Sequence, residues 1–314
     1  MLQFADKTGQ VGGVIWDNHA NLVTGTIAAD DFVRVQGDVG EFNNLSQITA
    51  KKITKVDEST IDLGDFLAVS PRPRAEMEAE LDDWIARVKN PDCKRLLSVL
   101  FGNPRLRELY CTCPAAAKVH QAYIHGLLDH TLNVMKLAYS IANVYEPVDR
   151  CTLITGTLLH DIGKVRELDW RRSITYTTEG RLLGHIPMGA SMVDATINEL
   201  RRKESFDQEL QTRIIHMILS HHGKLEYGSP ITPKTREALT LHYADNTEAY
   251  MAVFTTEVDK ATTRGQAWTP FTKMFDSYLY AGKPAPLPEG AILPPTAPAE
   301  TNHGGPVDDV RPPR

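Results

Sequence analysis

At 314 residues, with 42% hydrophobic and 24% charged side chains, the chain has the make-up of an ordinary soluble protein long enough for two domains. Its net charge of −6 argues against holding nucleic acid on a broad basic face, and it has no apolar run of about 18 residues to span a membrane. The N-terminus has no basic segment followed by an apolar core. The cysteines (Cys93, Cys111, Cys113, Cys151) form no C-x-x-C pair, so free thiols in a reducing cytoplasm are expected.

Residues 1–70 read as short strands. Val11–Trp16 follows the turn Asp6-Lys7-Thr8-Gly9, Phe32–Gly37 alternates with period two, and Gln47–Ile53 and Ile61–Leu63 continue the pattern, with turns at Gly37-Asp38 and Asp57-Glu58. So many strands in so short a length suggest a small OB-like barrel, a fold that commonly binds single-stranded nucleic acid by stacking bases on aromatic rings. Aromatic residues are few here, and Trp16 and Phe32 are expected in the core. The segment carries 5 basic and 10 acidic side chains, so polyanion contact is expected at a confined site. Ser70-Pro71-Arg72-Pro73 reads as a hinge, because neither proline continues a strand or a helix interior. Residues 71–118 form a helical connector, with an amphipathic helix over 74–88 (Met77, Leu81, Trp84, Ile85 and Val88 on one stripe) and a second over 93–101.

Residues 119–282 are predominantly helical, and the histidines gather there. One helix contains His130 and runs to Tyr145, where Glu146-Pro147 ends it. The apolar run Leu153–Leu159 leads into His160-Asp161, with Lys164 one turn on. Residues 174–183 alternate like a hairpin turning at Glu179-Gly180, and deliver His185 to the start of a helix with Pro187 in its first turn. A helix from Gln208 ends at Ser220-His221-His222-Gly223, and another over 235–256 aligns Ala238, Leu241, His242 and Asp245. Residues 283–314 are proline-rich and without periodicity, as in a disordered tail.

His130, His160, Asp161, His185, His221, His222 and Asp245 therefore lie at helix ends or on inward helix faces, outside any cysteine-containing zinc pattern. Neutral imidazoles with carboxylates suit Mn²⁺, Fe²⁺, Co²⁺ or Zn²⁺ better than Mg²⁺. The two oxygens of Asp161 can bridge two ions. Such a pair, about 3.5–4 Å apart, activates water and clamps a phosphoryl oxygen. Lys164 is placed to neutralise charge on the phosphate, and Arg181 is a second candidate for phosphate contact. Arg171 and Arg172 could contact a nucleic-acid backbone. His125, His216 and His242 read as hydrogen-bonded helix histidines.

The order H…HD…H…HH…D resembles the HD superfamily of metal-dependent phosphohydrolases. The segments from His120 to Thr131, Glu179 to Ile186 and Ser220 to Pro230, with a β-barrel ahead of them, resemble the YhaM-type 3′-to-5′ exoribonucleases more closely. The resemblance spans roughly Asp6 to Tyr280. It implies a manganese- or cobalt-stimulated exonuclease that trims single-stranded RNA, and single-stranded DNA as well. It also implies that His130, His160, Asp161 and Asp245 hold one metal and that Asp161, His185 and His221 hold the other. His222 would be a further ligand or a phosphate contact, and Lys164 would contact the substrate phosphate. Apart from the resemblance, Arg181 and His120 are expected to face the substrate. The chain departs from the family in two ways: His120-Gln121 replaces a His-His pair, and the first strand starts late, which leaves a barrel edge open. Competing readings are an HD phosphodiesterase for small nucleotides and a non-catalytic nucleic-acid-binding regulator. A homo-oligomer is compatible with all three.

Overall fold

The computed structural model describes residues 2–16, 23–24, 26–43, 45–117 and 121–282. The expectations for His120 and for the tail over 283–314 fall outside these residues. The chain forms two compact units, residues 1–256 and 257–314.

The first unit opens with a five-stranded sheet: β1 (Leu2–Asp6), β2 (Gly9–Ile15), β3 (Val23–Thr24), β4 (Val33–Phe42) and β5 (Leu45–Lys55). β1 and β2 form an antiparallel hairpin. β5 is the centre of the sheet, parallel to β2 through Gln47–Ala50 and to β3 through Ile53-Thr54, and antiparallel to β4 on its other side. β1 and β4 do not pair with each other, so among the described residues the sheet is open.

Three local expectations are corrected here. Gly37-Asp38 is not a turn: β4 runs through it with a register shift between Gln36 and Gly37, and the hairpin turns after Phe42. A bulge and a turn draw on the same small residues, so composition did not separate them. Ile61–Leu63 is not a strand, because Asp57 and Asp62 each accept a backbone N–H two residues on and start short 3₁₀ turns. Trp16 is 61% exposed, whereas Phe32 is buried edge-on against Phe66.

The remainder of this unit is helical. α1 (Arg74–Ala86) buries Met77, Leu81 and Trp84. α2 (Pro91–Phe101) and the unanticipated α3 (Pro104–Thr112) both begin with a capping Asn followed by Pro, an arrangement that supplies the first-turn N–H groups with an acceptor. α4 (Gly126–Val144) and α5 (Arg150–Leu159) pack together, and every residue of α5 from Thr152 to Leu159 is buried. α6 (Lys164–Glu167), the two-stranded ribbon β6 (Leu168–Asp169) and β7 (Thr175–Tyr176), α7 (Thr178–Leu183), α8 (His185–Arg201) and α9 (Gln208–Ser220) follow. α10 (Arg236–Thr263) runs seven residues past its expected end. Glu179-Gly180 lies within α7, not at a hairpin turn. Thr177 caps that helix, and Gly180 rides so close to Glu167 that a Cβ would stand 2.3 Å from its carbonyl oxygen.

The sheet is tied to these helices by named contacts. Arg172, between β6 and β7, binds Asp31 at 2.8 Å and also pairs with Glu58. Arg171 is engaged by Asp169, so both arginines nominated for a nucleic-acid backbone meet carboxylates instead. The Ser70–Arg72 hinge is held on the buried Asp129 of α4, through Ser70 Oγ at 3.1 Å and Arg72 Nη1 at 3.3 Å. Within the second unit, Trp268 bridges to Tyr280 and Thr272 to Ser277, with aromatic pairs Trp268–Tyr280 and Phe271–Tyr278. No helix among the described residues is long and apolar enough to cross a membrane.

Candidate metal centre

Two of the buried helices each end in histidine. α5 stops at Leu159 and α9 at Ser220, so His160 and His221 occupy the positions at which helix carbonyls lose their intrahelical partners. Each imidazole turns back on its own helix: His160 Nδ1 lies 2.7 Å from the Thr157 carbonyl, and His221 Nδ1 lies 2.7 Å from that of Ile218. A carbonyl can only accept, so Nδ1 carries the proton and Nε2 is directed away from the helix. His222 is held in the same way by the Tyr227 carbonyl at 2.7 Å.

The two remaining histidines are held by acids. Glu167 accepts from the backbone N–H of His185 at 3.0 Å and lies 3.1 Å from its Nδ1. Glu248 lies 2.7 Å from His130 Nδ1. The nominated residues then fall into two groups whose ligand atoms lie within 4.8 Å of one another: His130, His160 and Asp245, and Asp161, His185, His221 and His222. His130, His160, Asp161, His221 and Asp245 are all buried.

Asp161 stands between the groups. Its Oδ2 lies 3.6 Å from His130 Nε2 and 3.4 Å from His160 Nε2, while its Oδ1 lies 3.3 Å from His185 Nε2 and 3.6 Å from His221 Nε2. His130 Nε2 also faces Asp245 Oδ1 at 3.1 Å. Asp161 Oδ1, His185 Nε2 and His221 Nε2 are buried and make no hydrogen bond. Three orphaned polar atoms facing one point would be costly in a site meant to stay as it is; a divalent cation satisfies all three. The donor set therefore fits metal.

The charges agree with this. Burial works against ionisation of Asp161, but the Lys164 ammonium and His160 hold its carboxyl well below the usual carboxylate range. Burial would also lower the His130 imidazole, yet its bonds to Asp245 and Glu248 raise it to about 10. Burial pushes His221 down, and with the neighbouring His221 it brings His222 to about 4. A cation held by His130 would compete with the proton that Asp245 and Glu248 favour there, whereas burial favours neutral rings at His221 and His222.

Lys164 is less free than its position in the sequence suggested. Its Nζ lies 2.7 Å from Asp161 Oδ2 and donates to the Ala115 carbonyl at 2.7 Å, leaving one of three donors for a phosphate. Arg181 is exposed on α7, and His120 lies outside the described residues. His125, His216 and His242 all make backbone hydrogen bonds, to Cys111, Lys234 and His221 respectively. Sequence reasoning missed Glu167, Glu248 and Gln121, whose amide reaches Glu248 at 2.6 Å. The i, i+3 spacing of Asp245 and Glu248 on α10 was an available signal.

One close approach fixes the geometry. Gly163, within the His160–Lys164 turn, passes so near the start of α8 that a Cβ would stand 2.0 Å from the His185 carbonyl oxygen and 2.7 Å from the Gly189 nitrogen. Glycine there allows the HD turn and His185 to share one ligand sphere.

Comparison with known proteins gives the family. The HD domain family matches residues 127–250. The 3′-5′ exoribonuclease YhaM of Bacillus velezensis is 37% identical over 251 residues, covering 80% of this chain and 78% of its own. The proteins of the same name from Bacillus subtilis (36%, 80% and 78%) and Bacillus pumilus (36%, 78% and 76%) are similarly close. No solved structure matches.

Proposed function

The chain belongs to the YhaM family of 3′-5′ exoribonucleases and is a metal-dependent hydrolase of RNA; from that premise we propose that it removes nucleotides one at a time from the 3′ end of single strands, RNA foremost and DNA as well, at a dinuclear centre. The reading rests on one observation above all, the division of Asp161: one carboxylate oxygen faces His130 and His160, the other faces His185 and His221.

His130, His160, Asp161 and Asp245 would hold one cation, and Asp161, His185 and His221 the other, with His222 beside the second. Mn²⁺ suits this nitrogen-rich set best, and Co²⁺, Fe²⁺ and Zn²⁺ are compatible with it. When bound, the pair supplies Lewis-acid activation of water and of the scissile phosphoryl group. The chain's own residues set the geometry. Nδ1 contacts fix every imidazole, Glu167 and Glu248 orient His185 and His130, and burial keeps bulk water from the carboxylates. The remaining N–H of Lys164 points a positive charge at a phosphate oxygen without moving from Asp161. We assign Arg181, exposed on α7, and His120 to contact with the substrate strand. The free thiols of Cys93, Cys111, Cys113 and Cys151 suit a cytoplasmic setting, and a homo-oligomer is compatible with the exposed surfaces.

The test is a 5′-labelled single-stranded RNA, its DNA counterpart and a 3′-phosphorylated RNA, each incubated with Mn²⁺. A ladder shortening one nucleotide at a time from the free 3′ end is expected. Internal cleavage, or turnover of mononucleotide diesters alone, would replace the exonuclease with a general HD phosphodiesterase.

A further inference from the structure

The segment after His221-His222 does nothing in the chemistry described so far, yet its backbone is joined to it. The Tyr227 carbonyl holds His222 Nδ1 at 2.7 Å, and the His222 ring lies 5.3 Å from that of His185. Leu225–Tyr227 is a short 3₁₀ turn, closed on one side by Gly228 at φ +91° and on the other by the Ser229 N–H bonded to the Lys224 carbonyl at 3.1 Å. A turn pinned at both ends would ordinarily fold its apolar side chains inward. Here Tyr227 is 53% exposed and Leu225 78%. The Lys224 ammonium sits over the Tyr227 ring at 5.4 Å from its centroid, pairs with Glu226 at 3.3 Å and remains largely exposed.

A half-exposed tyrosine ring with a lysine over one of its faces, one carbonyl removed from a candidate metal-site histidine, is an arrangement that can take a base on its other face and a phosphate on the cation. We propose that Tyr227 is a stacking platform for a nucleobase of the single strand at the metal centre, and that Lys224 contacts the phosphate attached to it. The occupant is a polynucleotide and not an apolar peptide. The cation lies over the ring itself and keeps most of its surface exposed, which suits a phosphate and not an apolar side chain. Stacking is indifferent to base identity because every base has a π-face, so the platform gives the enzyme grip without sequence preference. It also places a base at a fixed distance from the ligand histidines, since the carbonyl that orients His222 and the ring that would hold the base belong to one residue.

This inference rests on the exonuclease reading, and its test separates the two. Steady-state trimming of a 5′-labelled single-stranded RNA is compared for the wild type, Tyr227→Ala, Tyr227→Phe and Lys224→Ala, with Mn²⁺ affinity measured on each by calorimetry. Tyr227→Ala should raise KM roughly five- to hundredfold with kcat held within about twofold, and Tyr227→Phe should restore the wild-type KM. Mn²⁺ affinity should be the same throughout, because the carbonyl and not the side chain holds His222. Lys224→Ala should lower the slope of log KM against log salt by about 0.7, the loss of one phosphate contact on a single strand. An unchanged KM in Tyr227→Ala, equal defects in the Ala and Phe variants, or a fall in Mn²⁺ affinity that accounts for the defect would overturn the platform. Wild-type protein that fails to shorten RNA would instead sink the exonuclease reading.

Discussion

Glu248 Oε2 lies 2.7 Å from His130 Nδ1, and the other oxygen of the same carboxylate takes the Gln121 amide at 2.6 Å. An acid on α10 thus performs for a ligand on α4 what a backbone carbonyl performs for His160: it decides which ring nitrogen faces the ligand sphere. Removing such a support typically costs about ten- to hundredfold in metal affinity. Glu248→Ala is therefore expected to weaken Mn²⁺ binding by that range while leaving the far-ultraviolet circular dichroism unchanged. Titration calorimetry with wild-type affinity in this variant would remove Glu248 from the centre.

Asp161 and Lys164 form a pair in which both members are nearly inaccessible, their side chains 2% and 13% exposed. Breaking such a pair leaves the partner charge buried alone, at a cost of about 3–5 kcal/mol. Asp161→Ala should therefore abolish RNA hydrolysis and also lower stability by about that amount in urea unfolding. Adding Lys164→Met should restore much of the stability and none of the activity. Turnover surviving in Asp161→Ala would discard the metal assignment altogether.

Chelation gives a test that needs no mutation. EDTA should stop RNA trimming and Mn²⁺ should restore it. Because the converging ligands exist only in the folded chain, Mn²⁺ at about a hundred times its Kd should stabilise the protein by roughly 2.7 kcal/mol. Scanning calorimetry with and without metal reads this as a rise in Tm, and coincident melting curves would contradict the site.

Gly163→Ala probes the contact between the HD turn and α8. The nearest atoms to an added Cβ are backbone, so the neighbour cannot yield by changing a rotamer. Overpacking of this kind costs about 1–3 kcal/mol. The expected result is a destabilised protein whose weaker Mn²⁺ site is the one containing His185. Equal stability and activity would mean that the helix shifts without consequence.

How far the sequence revealed this molecule depended on the kind of interaction involved. Several candidate ligands stand out in the sequence because a rare residue type follows an apolar run: Leu158-Leu159 is followed at once by His160-Asp161, and Ile218-Leu219-Ser220 by His221. Periodicity gives helices over 74–88, 93–101 and from Gln208 to Ser220, close to the observed Arg74–Ala86, Pro91–Phe101 and Gln208–Ser220. Glu167 and Glu248 do not stand out, because an acid on a helix is ordinarily a solvated one, and only the folded chain brings these two against imidazoles. Gly180 misled for a related reason. It reads as a turn residue, but its lack of a side chain serves contact with Glu167. Trp16 was assigned by alternation to a buried face that the open sheet does not cover.

His160 and His221 finish their helices with the same gesture, each ring bonding the carbonyl three residues back. These two side chains consequently serve the architecture as well as the proposed centre, and replacing either frays a helix end at the same moment that it removes a candidate ligand. Descendants of this chain that abandoned hydrolysis would still be under pressure to keep both. Histidines retained at these two positions are therefore poor witnesses to activity, and Asp245, which finishes no helix, is the better one.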